Sequence, residues 1–193
     1  MPQLHTTSRA RTQPLDLLVV DDEPDARELL GEFCTAQGFR VACASDGRAA
    51  VAALERATPR FPIVIADLHL PYADGFAVLE AARKASPSCY VVIVTGYATI
   101  DAAVRAVRLG AYDFLAKPFL LGQLELVLNR ICDRMTLEEQ SRATAREIAP
   151  LGPSSTAEMS DALEHIRRLE DRVATLETLV MRVGHRPTGQ SRR

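Results

Sequence analysis

Five short, apolar, β-rich runs alternate with five stretches of helical spacing, and this alternation most narrowly limits what the chain can become. The runs cover residues 15–20, 39–44, 62–66, 90–94 and 112–116. Between the first two, Leu29, Leu30, Phe33 and Cys34 share one helical face, with Pro24 suited to a first helical position. Ala50, Ala53 and Leu54 mark a second helix. Phe76, Leu79 and Ala82 mark a third, after Asp74-Gly75. Ile100, Ala103, Val104 and Val107 mark a fourth that ends near Gly110, and Leu120, Leu124, Val127, Leu128 and Ile131 mark a fifth. Such alternation predicts an α/β fold: a doubly wound, five-stranded parallel sheet with helices on both faces. The strands read as unbroken apolar runs because both faces are covered. In such sheets the ligand site lies beyond the carboxyl ends of the strands.

Composition removes several function classes. The 193 residues suffice for one domain of ordinary size plus a remainder. A hydrophobic share of 47% excludes wholesale disorder, and a net charge of −2 argues against a strongly basic nucleic-acid binder. No run approaches the ~18 apolar residues of a membrane span, so no membrane insertion is expected. The run at 15–20 is broken by Asp16 and ends in Asp21-Asp22, too short for a signal-peptide core. Cys34, Cys43, Cys89 and Cys132 show no CxxC spacing and sit in apolar surroundings. They read as buried, reduced thiols of a cytoplasmic protein, not as a disulfide framework or zinc site. Lys84 and Lys117 are the only lysines.

The predicted strand ends hold the chemistry. Strand one runs into Asp21-Asp22-Glu23, strand three into Asp67, strand four into Thr95-Gly96 and strand five into Lys117-Pro118. Each alone reads as a helix cap or turn residue. Together they place three carboxylates on one rim, where like charges raise one another's pKa. A cation has to offset them. A hard divalent ion such as Mg²⁺ suits an all-oxygen site. Lys117 adds a positive charge and Thr95 a hydroxyl, which completes an inventory for in-line phosphoryl transfer.

Residues 15–132 resemble the receiver domain of two-component response regulators, in the run Val19-Val20-Asp21-Asp22-Glu23, in Asp67-Leu68-His69-Leu70-Pro71-Tyr72-Ala73-Asp74-Gly75, in Thr95-Gly96 and in Lys117-Pro118-Phe119. The resemblance implies a flavodoxin-like sheet of order 2-1-3-4-5. It implies that Asp67 is the phosphoacceptor for a phosphohistidine on a sensor histidine kinase, with Thr95 and Lys117 completing the catalytic set. Asp22 and Asp67 would bind Mg²⁺ together with the backbone carbonyl of His69, Asp21 acting directly or through water. Lys117 would contact the phosphoryl group, its bond to Pro118 being cis, and Gly96 would leave room beside the phosphate. Thr95 and Phe114 would form the switch, the hydroxyl turning toward the phosphoryl oxygen and the ring swinging inward behind it. The resemblance implies no conventional enzyme, only Mg²⁺-dependent acceptance from a donor and self-dephosphorylation. A dehalogenase-type phosphatase would need a second Asp where His69 stands. The stretch from Thr95 through Leu115 is most similar to receivers of enhancer-binding, nitrogen-type regulators. The chain shows no Walker A glycine loop and is too short for their ATPase module, so that output is expected to be missing from it.

The remainder divides by pattern. Residues 1–14 and 185–193 read as polar, disordered tails, and residues 133–156 as a helical extension and a Pro/Gly-broken linker. In the helix at 157–184, Met159, Ala162, Ile166, Leu169, Val173, Leu176, Val180 and Val183 alternate at spacings of three and four. Ile166, Val173 and Val180 fall at a positions, Leu169 and Leu176 at d, which favours a parallel two-stranded coiled coil. The competing reading is a helix packed on its own receiver. The expected function is a phosphoacceptor acting through a coiled-coil homodimer on an unidentified downstream protein. The alternative is a transcriptional regulator that reaches DNA through its unorthodox C-terminal region and arginine tail.

Overall fold

The computed structural model describes residues 14–56 and 61–148. Five strands, β1 (Asp16–Val20), β2 (Arg40–Ala44), β3 (Ile63–Asp67), β4 (Tyr90–Thr95) and β5 (Asp113–Ala116), alternate with α1 (Pro24–Ala36), α2 (Gly47–Arg56), α3 (Gly75–Ala85), α4 (Ile100–Arg108) and α5 (Leu121–Ile148). The sheet is parallel throughout and ordered β2-β1-β3-β4-β5, as expected. The coiled-coil positions Ile166, Leu169, Val173, Leu176, Val180 and Val183 lie outside the described residues.

Strand pleating sorts the apolar runs into two cores. Leu18 and Val20 of β1, Val64 and Ala66 of β3, and Val91 and Ile93 of β4 pack with Leu54, Leu79 and Ala106. Leu17 and Val19, Ile63 and Ile65, and Val92 and Val94 pack on the other face with Leu30, Cys34, Leu124, Leu128 and Ile131. Side chains alternate across a strand, so a strand covered on both sides has no polar position to spare. Each fully buried Val, Leu or Ile among them contributes about 1.5–3 kcal/mol of transfer free energy.

Helix ends follow local chemistry. Pro24 opens α1. Asp74 caps α3 by accepting from Ala77 N at 2.9 Å, and Thr99 caps α4 by accepting from Ala102 N at 3.1 Å. Gly110 stops the chain after α4 at φ +87°, a conformation that glycine adopts without cost.

Three helix faces differ from the periodicity reading. Leu29 is 53% exposed, because α1 turns Leu30 and Cys34 to the sheet and leaves Leu29 on its flank. Ile100 and Val104 are exposed as well. The buried face of α4 is Ala103 and Ala106, whose small side chains let the helix lie close to the sheet. Leu120, just before α5, is also exposed. Nor are all the thiols buried: Cys43 is exposed on the edge strand β2, whose outer side has no neighbour in the sheet.

The chain divides into two units at Glu139/Gln140, beyond the edge at residue 132 read from the sequence. Within the first unit, α5 stays bound to the sheet past Ile131. Met135 packs on the second core. Tyr90, at the start of β4, donates its hydroxyl to Glu138 Oε1 at 3.0 Å, and Arg134 Nε holds the same oxygen at 2.7 Å. The Tyr90 ring meets Tyr112 edge-on at 5.2 Å. Among the described residues, no helix is long and apolar enough to cross a membrane.

Burial, reinforced by the facing Glu138 carboxylate, pushes the Tyr90 hydroxyl up to about 12, against about 10 in an unfolded chain. A raised folded-state pKa makes this contribution fully present below pH ~10 and lost as pH climbs toward 12. Urea unfolding of wild type and Tyr90→Phe across pH 7–12 should therefore show a difference of about 1 kcal/mol that is flat to pH ~9 and fades above pH ~10. A difference that persists unchanged to pH ~12 contradicts this assignment.

Candidate functional site

The rim at the carboxyl ends of the strands gathers the predicted residues. β1 passes into Asp21, which is fully buried, and Asp22, which is exposed. Asp21 is held through its backbone, its N–H donating to Ala44 O at 3.2 Å. Its Oδ1 accepts from Glu23 N at 3.1 Å. Asp67 is the last residue of β3, in register with Val94, and its Oδ1 accepts from His69 N at 2.9 Å. Lys117 follows β5, with its N–H on Thr95 O at 2.8 Å and a cis bond to Pro118, as the resemblance implies.

From there Lys117 reaches across the rim. Its Nζ donates to Asp21 Oδ2 at 2.7 Å and to Asp67 Oδ2 at 2.6 Å. Burial alone would lower the ammonium, but hydrogen bonds and charge from the two carboxylates outweigh it and hold Lys117 above the ordinary lysine range. Asp21, Asp22 and Asp67 each offer an oxygen within 4.8 Å of the others. Three carboxylates against one ammonium leave the cluster net negative. An all-oxygen set of this charge fits a hard divalent cation that keeps part of its water shell.

The β3–α3 loop closes tightly under Asp67. Gly75 N donates to Leu68 O at 2.9 Å, and a Cβ at Gly75 would lie 2.3 Å from Asp67 O, so only glycine fits. In the same loop Ala73 N bonds Pro71 O at 2.8 Å across Tyr72, which is held at φ +67°. That is a γ-turn in the strained, left-handed region. A Cβ at Gly96 would meet nothing within 4 Å, so the space beside the rim there is open.

The two candidate switch residues are placed less simply. Thr95 is fully buried, and its hydroxyl lies 3.3 Å from His69 Nδ1 and accepts from Tyr97 N at 3.2 Å. The His69 ring lies edge-on to Tyr97 at 5.0 Å. The imidazole thus turns to the Thr95 side, leaving the carboxylate cluster to the aspartates. Phe114 is half-buried, opposite Ile93 in the sheet and packed on the first core. Sequence reading missed two participants. Tyr97 gave no signal beyond its place after Thr95-Gly96. Arg27 returns its side chain to the Asp21-Asp22 turn. Its helical spacing from Glu23 was the available clue.

Residues 17–129 match the family described as the response regulator receiver domain. The nitrogen assimilation regulatory protein NtrX of Azorhizobium caulinodans is 29% identical over 178 residues, covering 92% of this chain and 38% of that protein. The transcriptional regulatory protein ZraR of Klebsiella oxytoca is 30% identical over 193 residues, covering 94% of this chain and 42% of that protein. The chain spans 27% to 42% of the length of the curated relatives it matches. A crystal structure of a response regulator receiver domain protein from Clostridium thermocellum superposes with a TM-score of 0.60 at 27% identity, covering 64% of this chain and 98% of that one.

Replacing Lys117 with Met leaves the Asp21 and Asp67 carboxylates facing one another without their cation. Urea unfolding at pH 7 should show a loss of about 3 kcal/mol. Excess Mg²⁺ should recover part of it. An unchanged unfolding curve contradicts this account of the rim.

Proposed function

Since the chain belongs to the response regulator receiver domain family, we propose that Asp67 is its phosphoacceptor, taking a phosphoryl group from a phosphohistidine of a sensor histidine kinase. The observation that carries this reading is the Lys117 ammonium held between Asp67 and Asp21, with Asp22 beside them. Asp67 lies at a strand end with one oxygen on a backbone N–H and the other on Lys117. A carboxylate oxygen of Asp67 attacks phosphorus, an O–P bond forms and the N–P bond of the donor breaks. The imidazole leaves with the electron pair and is protonated from water.

Receiver domains bind Mg²⁺ at an acidic pocket, and here Asp21, Asp22 and Asp67, with the His69 carbonyl, are the residues to hold it. The bound ion supplies Lewis-acid neutralisation of the phosphoryl oxygens. Lys117 moves its hydrogen bond from Asp67 to the incoming phosphoryl group and offsets charge there. Thr95 gives up its partners His69 and Tyr97 and turns its hydroxyl toward the phosphoryl group. Phe114 then moves inward against Ile93, a two-state change that alters the surface of α4, β5 and α5. Phe carries no hydroxyl that its inward position would leave unsatisfied.

Output runs through the residues beyond Glu139. The heptad pattern at 157–184 supports a parallel homodimer that engages a downstream protein. A second reading is favoured by the match to ZraR across 94% of the chain, since that relative is a transcriptional regulatory protein. On it, the C-terminal region contributes to DNA binding. Salt-dependent binding of the full chain to duplex DNA supports the second reading, because phosphate contacts release counterions. Absence of binding at low salt supports the first.

Incubated with a small acyl phosphate and Mg²⁺, the wild-type chain should form a base-labile phosphoprotein visible as added mass. Asp67→Asn should form none, and persistent labelling of that variant overturns the assignment of the acceptor. Deleting residues 157–193 should convert a dimer into a monomer, or into a weaker dimer that forms only on phosphorylation. Light scattering on both chains decides it, and identical oligomeric states refute the role of the heptad helix.

A further inference from the structure

We propose that Arg27 is a positioning residue for Mg²⁺ binding, acting through the backbone of the Asp21-Asp22 turn; this rests on the reading that Asp21, Asp22 and Asp67 hold the ion. Only residues 21–23 separate β1 from α1. The carbonyls of Asp21 and Asp22 lie beyond the strand, and Pro24 brings no N–H. Arg27, inside the first turn of α1, supplies the donor. Its Nη1 lies 2.7 Å from the Asp21 carbonyl oxygen and 3.4 Å from that of Asp22. Its own N–H bonds Glu23 O at 3.0 Å, so the helix start and the guanidinium grip the same turn.

Asp21 is therefore held at both ends. Arg27 holds the carbonyl, while Glu23 N and Lys117 Nζ hold the carboxylate. The direction in which an Asp side chain leaves the chain is set by the backbone of its own residue. Fixing the peptide between Asp21 and Asp22 thus constrains where both acidic side chains leave the chain. Lys117 acts on the Asp21 carboxylate, and Arg27 acts on the carbonyls of Asp21 and Asp22.

Position and charge have opposite signs here, which makes the proposal testable. As a mere charge, Arg27 repels Mg²⁺, and its removal tightens binding. As a positioning residue, its loss weakens binding, and outer partners of metal ligands commonly matter about tenfold or more. Calorimetric Mg²⁺ titration of the full chain should show about tenfold weaker binding in Arg27→Gln and a smaller loss in Arg27→Lys. At saturating Mg²⁺ the maximal phosphorylation rate from a small acyl phosphate should return to near wild type. In the absence of metal, the amide resonances of Asp22 and Glu23 should move in Arg27→Gln.

Equal or tighter Mg²⁺ binding by Arg27→Gln overturns the proposal. Where that variant does not fold, wild-type affinity in Arg27→Lys overturns it. The Asp22→Asn chain separates the two readings. Wild type that binds Mg²⁺ no better than Asp22→Asn overturns the metal site itself, and Arg27 with it. Intact wild-type binding with no effect of Arg27 overturns only the positioning role.

Discussion

The ion pair between Lys117 and the two carboxylates Asp21 and Asp67 is the interaction on which the rim depends. Asp21 is fully buried, and a carboxylate taken out of water without a partner is strongly disfavoured. Lys117 follows the edge strand β5, yet it reaches Asp21 beyond β1, passing over the ends of β3 and β4. One ammonium thereby ties the acidic ends of two interior strands to an edge strand. It also leaves the cluster net negative, which suits a divalent cation.

The sheet beneath makes that reach possible. Its three interior strands are buried on both faces, and interior packing at this density permits little relative displacement. β4 shows how far the order extends. At one end, Thr95 shares its hydroxyl with His69 and the Tyr97 amide. At the other, Tyr90 binds Glu138 on α5. The strand thus meets the candidate switch at its carboxyl end and the extension of α5 at its amino end.

Legibility in the sequence followed the range of the forces. The five strands emerged because continuous apolar runs report two-sided burial. The rim emerged because parallel topology puts every strand's carboxyl end on one side, so Asp21, Asp22, Asp67, Thr95 and Lys117 could be brought together from chain order alone. Helix faces were read less well. In α4, the apolar residues Ile100 and Val104 invited burial, yet Ala103 and Ala106 face the sheet. Periodicity locates an apolar stripe but not the distance at which a helix packs. Where that distance is short, small residues win the inner face.

By itself, then, the sequence determined a doubly wound parallel sheet and the acidic, lysine-bearing rim at its carboxyl ends, because both follow from local hydrophobic pattern and chain order. Only the tertiary structure decided which atoms meet there. Lys117 bridges Asp21 and Asp67, His69 turns to Thr95 instead of to the carboxylates, Arg27 grips the turn behind Asp21, and Glu138 returns to Tyr90. Most of these contacts join residues far apart in the chain. They depend on side-chain directions that packing alone sets, and neither propensity nor spacing carries that information.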